Sequence, residues 1–156
     1  MSAKAQFLKK LQEHQPRSGT FDSRYEADIA EFCQRMEQLQ EQIAEWLTET
    51  GIQIEYTVVP VVELLASGTP FNVPGIVLVW GNRKIKFTPL FLYGQGVTGC
   101  VEVSLCVDRD TTAQSRLFMR SGESTEWTWQ KIGTTSGQRK VFCEDAFFGM
   151  IDGLLA

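Results

Sequence analysis

The stretch YEADIAEFCQRMEQLQEQIAEWLTETGIQIEYTV, residues 25–58, holds two different apolar periods on either side of Gly51. Before the glycine, Tyr25, Ile29, Phe32, Met36, Leu39, Ile43 and Trp46 recur at alternating intervals of four and three. A seven-residue repeat held over three heptads puts all of them on one face of a helix. After it, Ile52, Ile54, Tyr56 and Val58 alternate with Gln53, Glu55 and Thr57. That is the period of a half-buried strand, here ending at Pro60. Asp22 is the expected N-cap of the helix and Gly51 its expected C′ residue. Two arrangements suit the apolar stripe: the helix lies across a sheet, or it pairs with its own copy or a partner helix. A length of about 40 Å at 1.5 Å per residue favours contacts beyond a sheet of short strands. The bulk of Tyr25, Phe32 and Trp46 suits a broad surface better than a narrow two-stranded seam.

Working outward, Phe7, Leu8 and Leu11 mark a short first helix, stopped by Pro16 and the Ser18-Gly19 turn. Towards the C-terminus, Val61–Ala66 is a short apolar piece closed by Ser67-Gly68-Thr69-Pro70. Ile76–Trp80, Gly81-Asn82 and Arg83–Thr88 form a hairpin with a two-residue turn. Further strands are expected at Leu90–Tyr93, Val101–Val107, Leu117–Arg120, Glu126–Ile132 and Arg139–Cys143. Connections this short hold no crossover helix, so most neighbouring strands should be antiparallel. Glu144-Asp145 opens a closing helix with Phe147, Met150, Ile151, Leu154 and Leu155 on its apolar face. The expected fold is a single α+β domain over residues 1–156. N-terminal helices, one of them long and heptad-patterned, pack on a largely antiparallel meander, and a helix closes the chain.

Composition bounds the function. The chain has 156 residues, 43% hydrophobic and 22% charged, which excludes disordered and low-complexity classes. The longest apolar run, Ile76–Trp80, is far short of the ~20 residues of a membrane span. No apolar leader core follows Met1, and the expected address is cytoplasmic. The net charge of −4 is unevenly spread: residues 22–49 carry eight acidic and two basic side chains, leaving the remainder slightly basic. An acidic balance disfavours nucleic acid, whose affinity comes mostly from Lys and Arg displacing counterions. Cys33, Cys100, Cys106 and Cys143 show no Cys-x-x-Cys pairing and are expected as reduced, mostly buried thiols.

Several motifs invite a chemical reading. Gly94-Gln95-Gly96-Val97-Thr98-Gly99 is a literal G-x-G-x-x-G, but a dinucleotide loop must open a helix and the alternation from Cys100 to Val107 is that of a strand. With Val101 added, the eight residues resemble the glycine-rich loop of protein kinases. No Lys follows Val101 until Lys131, and no His-Arg-Asp or Asp-Phe-Gly follows at all. His14, the only histidine, would have to serve any Ser-His-Asp or Cys-His arrangement, from the end of a terminal helix. Glu102, Asp108 and Asp110 set carboxylates near a strand end, where Mg²⁺ chemistry competes with turn chemistry. Gly149 and Gly153, four apart on the last helix, suggest a close contact or fraying. Arg83, Lys84 and Lys86 make one hairpin basic, as at a solvated sheet edge. Trp127 and Trp129, two apart on a strand, face the same way as core or as a partner platform.

The expectation is a non-catalytic protein–protein interaction protein. It needs no cofactor or metal and binds a protein partner or its own copy, without nucleic acid or membrane. Its candidate partner-binding residues are Glu37, Glu41, Glu45, Trp127 and Trp129. In size, charge and class it is similar to secretion chaperones, adaptors and immunity proteins. The alternative is a small-ligand or metal-dependent enzymatic domain with a pocket between sheet and helices, built on Glu102, Asp108 and Asp110 or on the Gly94–Gly99 loop.

Overall fold

The computed structural model describes residues 3–7, 19–63, 68–133 and 139–155, with the backbone alone over 19–24. Residues 3–7 are helical and exposed, while Leu8, Leu11, His14, Pro16 and Ser18 lie outside the described residues. The long helix α1 spans Gly19–Trp46, 28 residues and about 42 Å. Seven strands follow: β1 (Gln53–Val61), β2 (Phe71–Trp80), β3 (Arg83–Gly94), β4 (Val97–Val107), β5 (Asp110–Ser121), β6 (Thr128–Lys131) and β7 (Lys140–Val141). They hydrogen-bond in sequence order, every pair antiparallel. The helix α2 (Glu144–Ile151) and a 3₁₀ turn (Asp152–Leu154) end the described chain. The fold is therefore α+β. No described helix is long and apolar enough to cross a membrane.

The heptad stripe is spent on the sheet. Phe32, Met36 and Ile43 are wholly buried and Leu39 is 3% exposed, each adding about 1.5–3 kcal/mol by leaving water. They join Val73, Ile76, Leu78, Ile85, Phe87, Val101 and Leu117 in one core, with α1 lying chiefly over β2. Pairing with a second helix through this stripe is thereby ruled out, because its apolar atoms already face strands. At the ends of the stripe the aromatics are half-buried: Tyr25 packs on Tyr93 at 5.6 Å between ring centres, and Trp46 packs on Phe147 at 5.2 Å. Beside Tyr93, Asp28 accepts hydrogen bonds from the Tyr93 hydroxyl and from Arg120 Nη2, tying the first half of the helix to β3 and β5.

Both helix ends differ from the expected ones. Asp22 falls inside α1, which begins three residues earlier at Gly19. The helix stops at Trp46 rather than running to Gly51. Thr50 closes a turn there, its amide and its hydroxyl both donating to the Leu47 carbonyl at 3.0 and 2.7 Å. Left-handed backbone occurs first at Glu49 (φ 71°) and again at Gly51 (φ 80°).

The strands β2 to β5 run longer than their alternation indicates. Arg83–Thr88 and Leu90–Tyr93 are one strand, β3, passing through Pro89 with a register irregularity between Pro89 and Phe91. A proline has no amide to give to a ladder, so an irregularity is where a sheet tolerates it. The edge strand β1 carries Pro60 within it, whereas β6 and β7 are shorter than expected. On α2, Phe147, Met150 and Ile151 are buried, as is Leu154 in the turn that follows, but Leu155 is 67% exposed. Gly153 makes a close contact: its carbonyl accepts from Arg83 Nη1 at 2.8 Å, and a Cβ there would stand 3.1 Å from Leu105. Gly149 meets nothing.

Candidate functional site

With one face of α1 committed to the core, the opposite face is fixed in direction and left to solvent. Glu37, Glu41 and Glu45 stand on it at intervals of four, one above the other, all exposed. None of the three forms an ion pair among the described residues. The helix carries no basic residue in its last turn, so the stripe adds to the negative end of the helix dipole rather than cancelling it. Side-chain struts hold the helix in register with β2. Gln40 Nε2 donates to the Gly75 carbonyl at 2.9 Å, and Cys33 Sγ to the Asn72 carbonyl at 3.3 Å. Burial, and then the charge of Glu37, push the Cys33 thiol above its ordinary pKa.

The stripe borders the first strand. Glu37, Gln40, Glu41 and Tyr56 line a shallow groove of about 340 Å³ between α1 and β1. Tyr56 and Val58, expected to face inward, are 60% and 67% exposed. They lie on the edge strand, beyond the cover of α1. Their cross-strand partners Ile76 and Pro74 are buried and half-buried one strand further in.

The candidate tryptophans belong to the other flank of the helix. Trp127, just before β6, is half-buried against the main core, with the Arg35 guanidinium 5.5 Å from its ring centre. It helps line a cleft of about 520 Å³ with Arg35, Leu39, Trp46 and Phe142. Trp129 also packs against the core, with the Lys140 ammonium 5.6 Å from its ring. The structure thus brings Glu37 and Glu41 together beside Tyr56 and places Trp127 and Trp129 elsewhere.

The residues of the enzymatic alternative are dispersed. Asp108 and Arg109 form the two-residue turn between β4 and β5. Asp108 sits at φ 56° and accepts from Asn82 Nδ2 at 3.1 Å. Asp110 is the first residue of β5, and Glu102 sits across from Arg116 and Thr88 in the middle of the sheet. Glu102 and Asp108 are therefore roughly 20 Å apart along the strand at ~3.3 Å per residue. Among the described residues no three His, Cys, Asp or Glu side chains are grouped as metal ligands. In the Gly94–Gly99 stretch, Gln95-Gly96 is the β3–β4 turn and a strand, not a helix, follows.

One feature escaped the sequence. A cavity of about 530 Å³ is lined by Phe91, Phe118, Arg116, Lys131, Gln130 and Arg139, among others. The Arg139 guanidinium lies 4.9 Å from the Phe118 ring centre. These residues come from three strands, β3, β5 and β6, and from Arg139 just before β7, and only cross-strand pairing gathers them. Beneath it Cys100 is fully buried next to Phe118, and burial pushes its thiol up to about 12 despite the opposing Arg116 charge. Since the thiolate is the nucleophile, iodoacetamide at pH 8 should alkylate exposed Cys143 in the folded protein. Cys100 should stay unmodified until denaturant is added, as peptide mass mapping would show.

No protein-family model, curated protein or solved structure matches this chain significantly, so its function has to be argued from its own surfaces.

Proposed function

We propose that this is a non-catalytic interaction protein, of the adaptor, chaperone or immunity kind, that binds a basic protein partner through the acidic face of α1. The observation that carries the reading is the stripe Glu37, Glu41 and Glu45, exposed along a helix whose other face is locked into the core. A rigid row of like charges on a low-dielectric body attracts an opposite patch over a Debye length of about 8–10 Å and orients it before contact. Tyr56 beside the row, and the exposed Val58 further along the same strand, then supply area that leaves water on docking.

The test is charge reversal. The triple variant Glu37→Lys, Glu41→Lys, Glu45→Lys changes only exposed side chains and should keep the native circular dichroism and melting temperature. Its association rate with the partner recovered from the source cell should fall about 10- to 100-fold at low ionic strength, and the difference should shrink with added salt. An unchanged rate and affinity would sink this mechanism.

A further inference from the structure

The two edges of the sheet are built differently. β7 has two residues, Lys140 and Val141, and follows Arg139. A short, cationic edge is one of the ways natural sheets avoid pairing with other chains. β1 has nine residues, paired without interruption to β2 from Gln53↔Val79 to Val61↔Phe71. It contains no Lys or Arg and one proline, Pro60, near its end. Among the described residues nothing pairs with its outer edge. An edge of this length, with no register break and without cationic residues, presents a row of backbone donors and acceptors about 30 Å long.

The side chains along that edge specify what would pair with it. Tyr56 lines the groove on the helix side of the sheet and is mostly exposed, and Val58 and Val62 further along the edge are 67% and 50% exposed. Glu37 and Glu41 stand over Tyr56 across the groove, and Glu55 is exposed on the strand itself. An added strand would set apolar side chains against the exposed Tyr56 and Val58 along the edge and carry its charges beside the acidic stripe. A second copy of this chain fits poorly, because pairing β1 with β1 about a two-fold axis would set each acidic stripe against its image.

We propose that the free edge of β1 accepts an extended strand from a protein partner, apolar at alternate positions and bearing Lys or Arg between them, by strand addition to the sheet. This rests on the acidic-face reading above and adds the way the partner is held.

The probe is a nine-residue peptide alternating valine with lysine, run beside a valine–glutamate peptide and a shuffled peptide of the first one's composition. Binding is read by fluorescence anisotropy, and its site by amide hydrogen exchange on the full chain. The alternating basic peptide should bind at least tenfold tighter than either control and slow exchange of the outward-facing amides within residues 53–61, those not bonded to β2, but not at β7. Tyr56→Ser with Val58→Ser should cost at least tenfold in affinity, and so should Glu37→Lys with Glu41→Lys, both variants keeping the native circular dichroism. Four results would overturn strand addition: no preference for the alternating basic peptide, outward-facing β1 amides (those not bonded to β2) already protected in the free protein, a β1-dependent dimer, or protection confined to α1 with no effect of the Tyr56 and Val58 changes. The last would leave the acidic-face reading standing. If the partner's association rate also ignores the triple charge reversal, both readings fall.

Discussion

Gly99→Ala should destabilise the protein by about 2–5 kcal/mol, a large part of the ~5–15 kcal/mol that holds a typical domain together. Gly99 sits at φ 75°, where an L side chain costs about 1–2 kcal/mol. A Cβ there would stand 2.8 Å from Met119 Cβ and 3.1 Å from Phe32 Cδ1. The Met119 Cβ is bonded to the backbone of β5 and cannot swing aside, so the strand or α1 must shift, costing about a further 1–3 kcal/mol. Gly96 is the control: it has a similar φ of 73°, but a Cβ added there would meet nothing within 4 Å. Gly96→Ala should therefore cost only about 1–2 kcal/mol. Urea unfolding of the two variants side by side separates them. Equal losses would mean that Gly99 is not packed under α1 as described.

The second large effect is expected at Phe147. This side chain is wholly buried and sits within 5.2–6.4 Å, ring centre to ring centre, of Trp46, Phe87, Phe142 and Phe148. It is the point where α2 locks onto both the end of α1 and the sheet. Phe147→Ala should cost about 3–5 kcal/mol, from lost burial together with the cavity left behind. For a chain of this size that is a fall of about 6–20 °C in melting temperature. Because Trp46 loses its nearest aromatic neighbour, its fluorescence should change in the native baseline as well. Phe148→Ala, at a side chain 36% exposed, should cost about 1 kcal/mol or less. Similar losses at the two positions would contradict the docking of α2 through Phe147.

Much of this architecture was legible in the residues because it depends on local periods. The 4–3 spacing from Tyr25 to Trp46 marks the buried face of α1 directly, since each of its central residues must leave water. The two-residue turn at Gly81-Asn82 leaves no room for anything but antiparallel neighbours, whereas the strand after Asp108-Arg109 is expected only from Leu117 and in fact begins at Asp110. What alternation cannot carry is the lateral position of a strand. Tyr56 and Val58 have the pattern of inward residues, yet they are exposed because α1 covers β2 and stops short of the edge strand. Backbone irregularities were equally hidden: Pro89 looks like a strand break, and only the ladder on β4 shows the strand continuing past it. The candidate site divides along the same line. Glu37, Glu41 and Glu45 were readable as a helical row of charge, whereas their separation from Trp127 and Trp129 depends on which flank of α1 each strand occupies, a property of the whole sheet.

The central claim is that the acidic face of α1 holds a partner, and the most direct measurement is the native mass of the complex recovered from the source cell. The wild-type chain and the Glu37→Lys, Glu41→Lys, Glu45→Lys variant would be purified side by side at low salt. Wild type should be recovered well above its own 17.6 kDa, together with a second, basic chain. The variant should be recovered at 17.6 kDa alone. Recovery of both proteins at the same mass, whether alone or with the same companion, would contradict the claim.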